Sequence, residues 1–401
     1  MVWWAVLAAA FAGPDAGVPF DPPATPPAAT YDGTFASPPV VHWRVRVPGG
    51  RLNSASHTER SQPTVHEGGV FVGSASGDAL YLLSRRDGSV IRQYPAAQSV
   101  EAAPAVANGK VYFADTGGST WCYTLEGEFQ WQHQSRAPVL VQPTIDAGRV
   151  FITNVDDLAV ALDATTGELL WRYQARKDLA RQSELRLYGA PPAVIADGAV
   201  LLGFSDGGLV GVDASSGEEL WTRRIGEGRY PDLVAGPVAR GADVFASGYF
   251  QPLVALDVAS RNIRWRLDIG AASAPLVEEL DGRAVIFHPG SDGSLRSISV
   301  LTGAEKWIWE SGSNGALSTP VLTEAGLLIG SSAGGLWLLD PETGKEKWAY
   351  HEPMLLQGVT AAPTVAGRQL LFLTNAGYLH SMLAPVPSAN EASARMALPS
   401  E

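Results

Sequence analysis

One unit recurs eight times along this chain, and the recurrence constrains the fold more than any other feature. Each copy opens on a residue followed by proline: Gln62-Pro63, Ala103-Pro104, Gln142-Pro143, Pro191-Pro192, Gly236-Pro237, Ala274-Pro275, Thr319-Pro320 and Ala362-Pro363. Successive copies lie 38 to 49 residues apart. After the proline comes a short apolar stretch, a turn glycine and an apolar strand such as VFVGS at 70–74 or LLIGS at 327–331. A polar turn leads to a third strand, as in ALYLL at 79–83, and a tight turn to a fourth that carries Trp. In that last turn Gly127, Gly167, Gly217, Gly303 and Gly344 each stand four residues before a Trp, namely Trp131, Trp171, Trp221, Trp307 and Trp348. Glycine supplies the positive φ that a tight hairpin needs. The indole then falls at one place on the outer strand, where it can pack over the next unit. The fifth unit keeps Trp265 without the glycine, and the first has Tyr94 instead of Trp.

Four antiparallel strands in every ~40–45 residues are the mark of a β-propeller blade. The eighth copy stops at Ser381-Met382-Leu383 with no fourth strand, while Val40-Val41-His42-Trp43-Arg44-Val45 reads as an outer strand with its Trp in place. The N-terminal strand is therefore expected to complete blade 8 and close the ring, which pairs edges that would otherwise be open. The expected fold is all-β: one eight-bladed propeller of four-stranded antiparallel blades over residues 39–384. Composition agrees, with 43 Gly, 28 Pro and only 17% charged residues in 401. Dividing the length by ~150 residues per domain would suggest two or three domains; the repeat overrules it.

The flanks read differently. Residues 1–12, MVWWAVLAAAFA, are an uncharged apolar run too short for a membrane-spanning helix, which needs ~20 residues. The run ends in Ala10-Phe11-Ala12, a small-residue cleavage pattern, so a secretory signal peptide is expected. Residues 13–38 hold seven prolines and are expected to form a Pro/Ala-rich tether, and 385–401 a disordered tail. A location in the periplasm or cell envelope is expected. No cysteine lies near the cleavage site, so a lipid anchor on cysteine is not expected there.

Charge and cysteine count narrow the function. The 29 Lys+Arg against 41 Asp+Glu leave −12, which argues against nucleic-acid binding. A single Cys, Cys122, excludes an intramolecular disulfide and any CxxC site. The seven His are scattered, so no metal site is expected. Asn154-Val155-Asp156-Asp157 reads as a strand-connecting turn rather than a Ca²⁺ ligand set. Gly330-Ser331-Ser332-Ala333-Gly334 matches the G-x-S-x-G nucleophile pattern, but lies between two strands rather than between strand and helix. Trp121, Trp309 and Trp337 fall outside the repeated Trp position; Trp309 is expected on a connection, and Cys122 in a strand, buried and inert.

The segments ALDATTGELLW (161–171), GVDASSGEELW (211–221) and LLDPETGKEKW (338–348) resemble the repeat of quinoprotein propellers, in register across 40–383. Two families share that repeat: the PQQ-dependent dehydrogenases and BamB, a non-catalytic scaffold of outer-membrane protein assembly. The dehydrogenase resemblance implies an adjacent Cys–Cys disulfide, a Ca²⁺ held by Glu, Asn and Asp, and an Asp base. One Cys cannot supply the disulfide, and the acidic residues sit mostly in repeat turns, where they are turn formers. The BamB resemblance has local support. Glu184-Leu185-Arg186-Leu187-Tyr188-Gly189-Ala190-Pro191, between blades 3 and 4, is similar to the S-L-R-G-x-S-x-P segment of BamB. The resemblance implies that Leu185 and Arg186 contact a BamA-type barrel-assembly protein. Arg229-Tyr230-Pro231-Asp232-Leu233-Val234 is similar to the family's R-x-x-D-x-D stretch before blade 5; Asp232 matches and Val234 departs, as do Leu187 and Gly189.

The residues point to the same region independently. In a propeller meander, the blade-to-blade connections share one face with the turns between second and third strands. The connection 172–189 is read as carrying Arg172, Arg176, Lys177, Arg181 and Arg186, and the next as carrying Arg223, Arg224 and Arg229. Exposed loops on a rigid scaffold commonly carry binding function, and Arg is favoured at interface hot spots. Leu185, Leu187 and Tyr188 add apolar anchors to the charged rim of such a patch. The expected partner-binding set is Arg181, Leu185, Arg186, Tyr188, Arg229 and Asp232, in a monomeric, non-catalytic scaffold without cofactor. Unfolded outer-membrane protein clients are a further partner class. The alternatives are a quinoprotein-like enzyme or sensor with PQQ or another small ligand in the central channel, and a general protein- or glycan-binding propeller.

Overall fold

The computed structural model describes residues 35, 37–48, 59–175, 191–351 and 358–385. Among them every strand belongs to one of eight four-stranded antiparallel sheets. The meander holds in each. Blade 3, for example, runs Thr144–Asp146, Arg149–Thr153, Leu158–Asp163 and Leu169–Gln174 from the inner strand outward. Blade 8 is completed by Val40–Arg46, which pairs antiparallel with Tyr378–Leu383 from Val40↔Leu383 to Arg46↔Tyr378. The protein is thus an eight-bladed β-propeller whose ring is closed by its N-terminal strand.

Second and third strands are apolar on both faces because each sheet is covered by a blade on either side. The buried clusters accordingly combine neighbouring blades. Phe151 and Trp171 of blade 3 pack with Val200, Leu202 and Phe204 of blade 4, and Leu371, Leu373 and Leu379 of blade 8 pack with Val70 and Val72 of blade 1. On the inner strands, hydroxyls tie several blades to the next. Thr144 donates to the Ala193 carbonyl at 2.7 Å, and Thr364 to that of Pro63 at 2.6 Å.

The repeated Trp and the repeated Gly are one device. Wherever the next outer turn carries the glycine, the indole N–H donates to a carbonyl of that turn: Trp131 to Ala164 at 3.2 Å, Trp171 to Ala214 at 3.0 Å, Trp307 to Pro341 at 3.0 Å and Trp43 to Arg85 at 3.0 Å. The indole lies against that turn's glycine. A Cβ on Gly217 would sit 2.6 Å from Trp171, and one on Gly344 2.6 Å from Trp307. Glycine is needed twice, for φ near +70° and for the close approach of the neighbouring ring. In blade 5 the position is held by Arg261 at φ +61°. Blade 8 has no such turn, since its outer strand arrives from the N-terminus. There Phe35 is buried beside Trp348, and its carbonyl accepts the indole N–H at 2.7 Å.

The aspartates of the repeat are turn formers. Asp163 accepts from the backbone N–H groups of Thr165 and Thr166, both at 2.8 Å, and Asp213 from those of Ser215 and Ser216 at 2.9 and 2.8 Å. These bonds favour the charged form and hold both carboxyls below the usual range. Residues 330–334 form the turn between two strands of blade 7, Gly326–Gly330 and Leu336–Leu339. Asn154 caps its own turn through Asp156 N–H at 2.9 Å, and Asp157 accepts from Ser205 of blade 4. Cys122 is buried in a third strand, and burial pushes its thiol up to about 11, so it stays protonated and unreactive. Trp309 is not on a connection: it lies in the outer strand Glu305–Glu310, buried edge-on against Trp337 at 5.3 Å. The alternation of that strand turns it inward.

Candidate functional site

Blade-to-blade connections and second-to-third-strand turns do meet on one face. Ile225 N–H donates to Gly207 O, and Ala271 N–H to Gly248 O, each at 2.9 Å. One part of this face is the connection 225–234 between blades 4 and 5. Its path is set by close backbone approaches that only glycine permits: a Cβ on Gly226 would lie 1.9 Å from the Pro231 carbonyl, and one on Gly248 1.8 Å from that of Asp232. The blade 5 turn is approached in the same way, since a Cβ on Gly270 would lie 2.0 Å from the Tyr249 carbonyl. Gln251, 5% exposed, pins the loop from below. Its amide N donates to the carbonyls of Glu227 at 2.9 Å and Tyr230 at 2.6 Å, and its Oε1 accepts from Glu227 N–H at 2.8 Å. A buried side-chain amide satisfied by three loop backbone groups leaves that loop little freedom.

On this base stands a group of exposed side chains. The Arg229 guanidinium lies 5.3 Å from the Tyr230 ring centroid, a cation–π distance. Tyr230 meets Phe250 at 5.4 Å, and Phe250 meets Tyr249 edge-on at 4.8 Å. Phe250 is 60% exposed at the tip of the blade 5 turn. Beside it an open groove of about 460 Å³ is lined by Glu227, Tyr249, Phe250, Arg266, Asp268 and Ser291 among others. Arg266 and Asp268 form an ion pair at 2.9 Å.

The expected site residues fare differently. Arg229 is exposed on this face, whereas Asp232 is only 7% exposed, beneath it, with Leu233 at 1%. Arg181, Leu185, Arg186 and Tyr188 lie outside the described residues, as do Arg176 and Lys177. Arg172, Arg223 and Arg224 are exposed but belong to the ends of outer strands, Leu169–Gln174 and Glu219–Arg224, rather than to connections. Both strands run three residues past their Trp, to Gln174 and Arg224, because antiparallel pairing continues through Leu158↔Gln174 and Gly208↔Arg224. Tyr249 and Phe250 are absent from the expected set. A signal for them exists: the same turn is Ser-Asp-Gly-Gly at 205–208 and Ser-Asp-Gly-Ser at 291–294, and blade 5 alone of these replaces polar turn residues with two aromatics.

Other titratable groups serve structure. Burial depresses His288 to about 4, so it is neutral at physiological pH, and one ring nitrogen lies 3.3 Å from the Ile269 carbonyl. Among the described residues no three His, Cys, Asp or Glu side chains gather in a metal-binding group.

Comparison with known proteins agrees with this architecture. The family model described as outer membrane protein assembly factor BamB matches residues 40–141, 122–307 and 271–393. BamB of Moranella endobia is 24% identical over 342 residues, 80% of this chain and 84% of that protein. BamB of Escherichia coli K12 is 26% identical over 154 residues, 38% of each chain. The crystal structure of BamB from Moraxella catarrhalis superposes with a TM-score of 0.71 at 17% identity, over 85% of this chain and 98% of that one. The quinohemoprotein alcohol dehydrogenase ADHIIG of Pseudomonas putida HK5 superposes at 0.66 with 14% identity, over 86% and 77%. At such identities the structural likenesses speak to fold alone, and it is the sequence family, matched along nearly the whole ring, that separates the two. The chain belongs to the family of the outer membrane protein assembly factor BamB.

Proposed function

We propose that this protein is a non-catalytic scaffold of the cell envelope that serves outer-membrane β-barrel assembly and docks a BamA-type protein through its connection face at blades 3 to 5. The observation that carries the reading is exposed Arg229 and half-buried Tyr230 on a connection that Gln251, Gly226 and Gly248 hold in place, beside exposed Phe250 of the blade 5 turn. A preorganised patch with aromatic anchors and an Arg is what an interface hot spot consists of, since little side-chain and loop entropy is lost on binding. Leu185, Arg186, Arg181 and Tyr188 of the neighbouring connection extend the patch in this reading. Asp232, being buried, supports the loop rather than touching the partner. Residues 1–12 act as the export signal, 13–38 as a tether that is anchored to the ring at Phe35, and 385–401 as a tail.

In-cell photo-crosslinking from positions 186 and 229 tests the proposal. A large outer-membrane barrel protein should be captured from both. Capture of a periplasmic enzyme or a glycan instead, with no barrel protein, overturns it. The quinoprotein reading shares the propeller fold; adding PQQ and Ca²⁺ to the purified chain should leave the quinone absorbance unchanged, and stoichiometric binding would establish that reading instead.

A further inference from the structure

We infer that the groove between Phe250 and Asp268 is a receptor site for an arginine side chain of a protein partner. The inference rests on the docking reading for the origin of that arginine, and names the chemistry this part of the face recognises.

The groove joins three elements of one face: the blade 4–5 connection, the blade 5 turn and the blade 5–6 connection. Its apolar wall is Tyr249 and Phe250, set edge to face at 4.8 Å. That contact braces Phe250 while leaving it 60% exposed. Its polar rim carries two exposed carboxylates, Glu227 and Asp268, and one cation, Arg266, so the rim is net negative. Asp268 is 81% exposed although it pairs with Arg266, which is itself 49% exposed, so the pair leaves carboxylate surface open to a second cation. Tyr230, the third aromatic, is already covered by Arg229. The ring of Phe250 has no cation of its own among the described residues.

Aromatic surface flanked by carboxylates favours a planar cation. The guanidinium stacks on the ring and forks toward carboxylate oxygens, and it sheds water more readily than an ammonium. A purely apolar side chain would instead leave Glu227 and Asp268 partly desolvated without a partner, which disfavours it. The floor is rigid, because Gln251 bonds to the Glu227 backbone and the Gly270 backbone lies directly under Tyr249. A preformed groove of this kind orders little on binding.

N-acetyl-arginine amide, titrated into the full chain and followed by saturation-transfer NMR, tests the site without any BamA-type protein. The arginine probe should bind in preference to N-acetyl-leucine amide. Phe250→Ala and the double variant Glu227→Gln/Asp268→Asn should each weaken it by about threefold or more. Phe129→Ala, an equally exposed aromatic on an outer strand of blade 2, should leave it unchanged. All substituted side chains are exposed, and an unaltered melting temperature verifies the fold of each variant. Equal binding of the leucine probe, no binding of the arginine probe, or binding indifferent to Phe250 and the carboxylates overturns the inference. Because the assay omits the partner, the groove can fail while crosslinking from 186 and 229 succeeds, and the reverse.

Discussion

At the scale of single residues, three positions carry measurable consequences. Arg261 sits at φ +61° where the other outer turns use glycine. A left-handed conformation costs a non-glycine residue roughly 1–2 kcal/mol, and glycine returns up to about 1 kcal/mol of this through the unfolded chain. Arg261→Gly should therefore stabilise the protein by up to about 1 kcal/mol in thermal or urea unfolding. Gly217→Ala should do the opposite, by about 2 kcal/mol or more, since it adds φ strain to a collision with Trp171. Glu59 is 3% exposed where the chain enters blade 1, accepting from Ser74 hydroxyl at 3.1 Å and Ala75 N–H at 2.8 Å. Burial nevertheless pushes its carboxyl up to about 7, and neighbouring Glu101 adds to the rise. A carboxyl with a raised folded value stabilises the fold fully below the unfolded value near 4.5, and that contribution is lost as pH rises through about 7. The loss is at most about 3 kcal/mol. The melting temperature should thus fall between about pH 5 and pH 8, and Glu59→Gln should flatten the fall; parallel curves for the two proteins would refute it.

At the scale of elements, the ring depends on one strand that is distant in sequence from its partner. Val40–Arg46 covers the edge of Tyr378–Leu383, and its Trp43 caps the outer turn of blade 1 at Gly88. A chain beginning after Arg46 should melt lower and self-associate through the bared edge, as light scattering would reveal. The blade 4–5 connection is held more locally. Gly248→Ala places a Cβ against the Asp232 carbonyl, which as backbone cannot yield without moving the loop. The expected cost is about 1–3 kcal/mol, together with loss of crosslinking from position 229.

At the scale of the molecule, the propeller is a rigid disc that offers loops on one face, and partner binding should separate from stability. Arg229→Ala and Phe250→Ala remove exposed side chains, so melting temperatures should stay unchanged. Each should weaken capture of the purified soluble region of a BamA-type protein by about tenfold, the effect of losing roughly 1.4 kcal/mol at a hot spot. Equal loss from Leu220→Ala, exposed on an outer strand of blade 4, would point to a different face.

The number of blades, their order, the meander and the N-terminal closure were all legible in the sequence. Each is written in local spacing: a proline, a turn glycine and a Trp four residues after another glycine. Local periodicity determines strands, and strands of one period admit one ring. The partnership of Trp in one blade with Gly in the next was half legible, since spacing shows that both recur but not that they touch. What only the tertiary structure decided is depth and company. Asp232 is a charged residue in a connection and Phe250 an aromatic in a turn, yet it is Asp232 that is buried and Phe250 that stands clear. That difference arises from contacts between residues some 20 positions apart, Gly248 with Asp232 and Gln251 with Tyr230. Such contacts leave no period in the sequence, because each is made once.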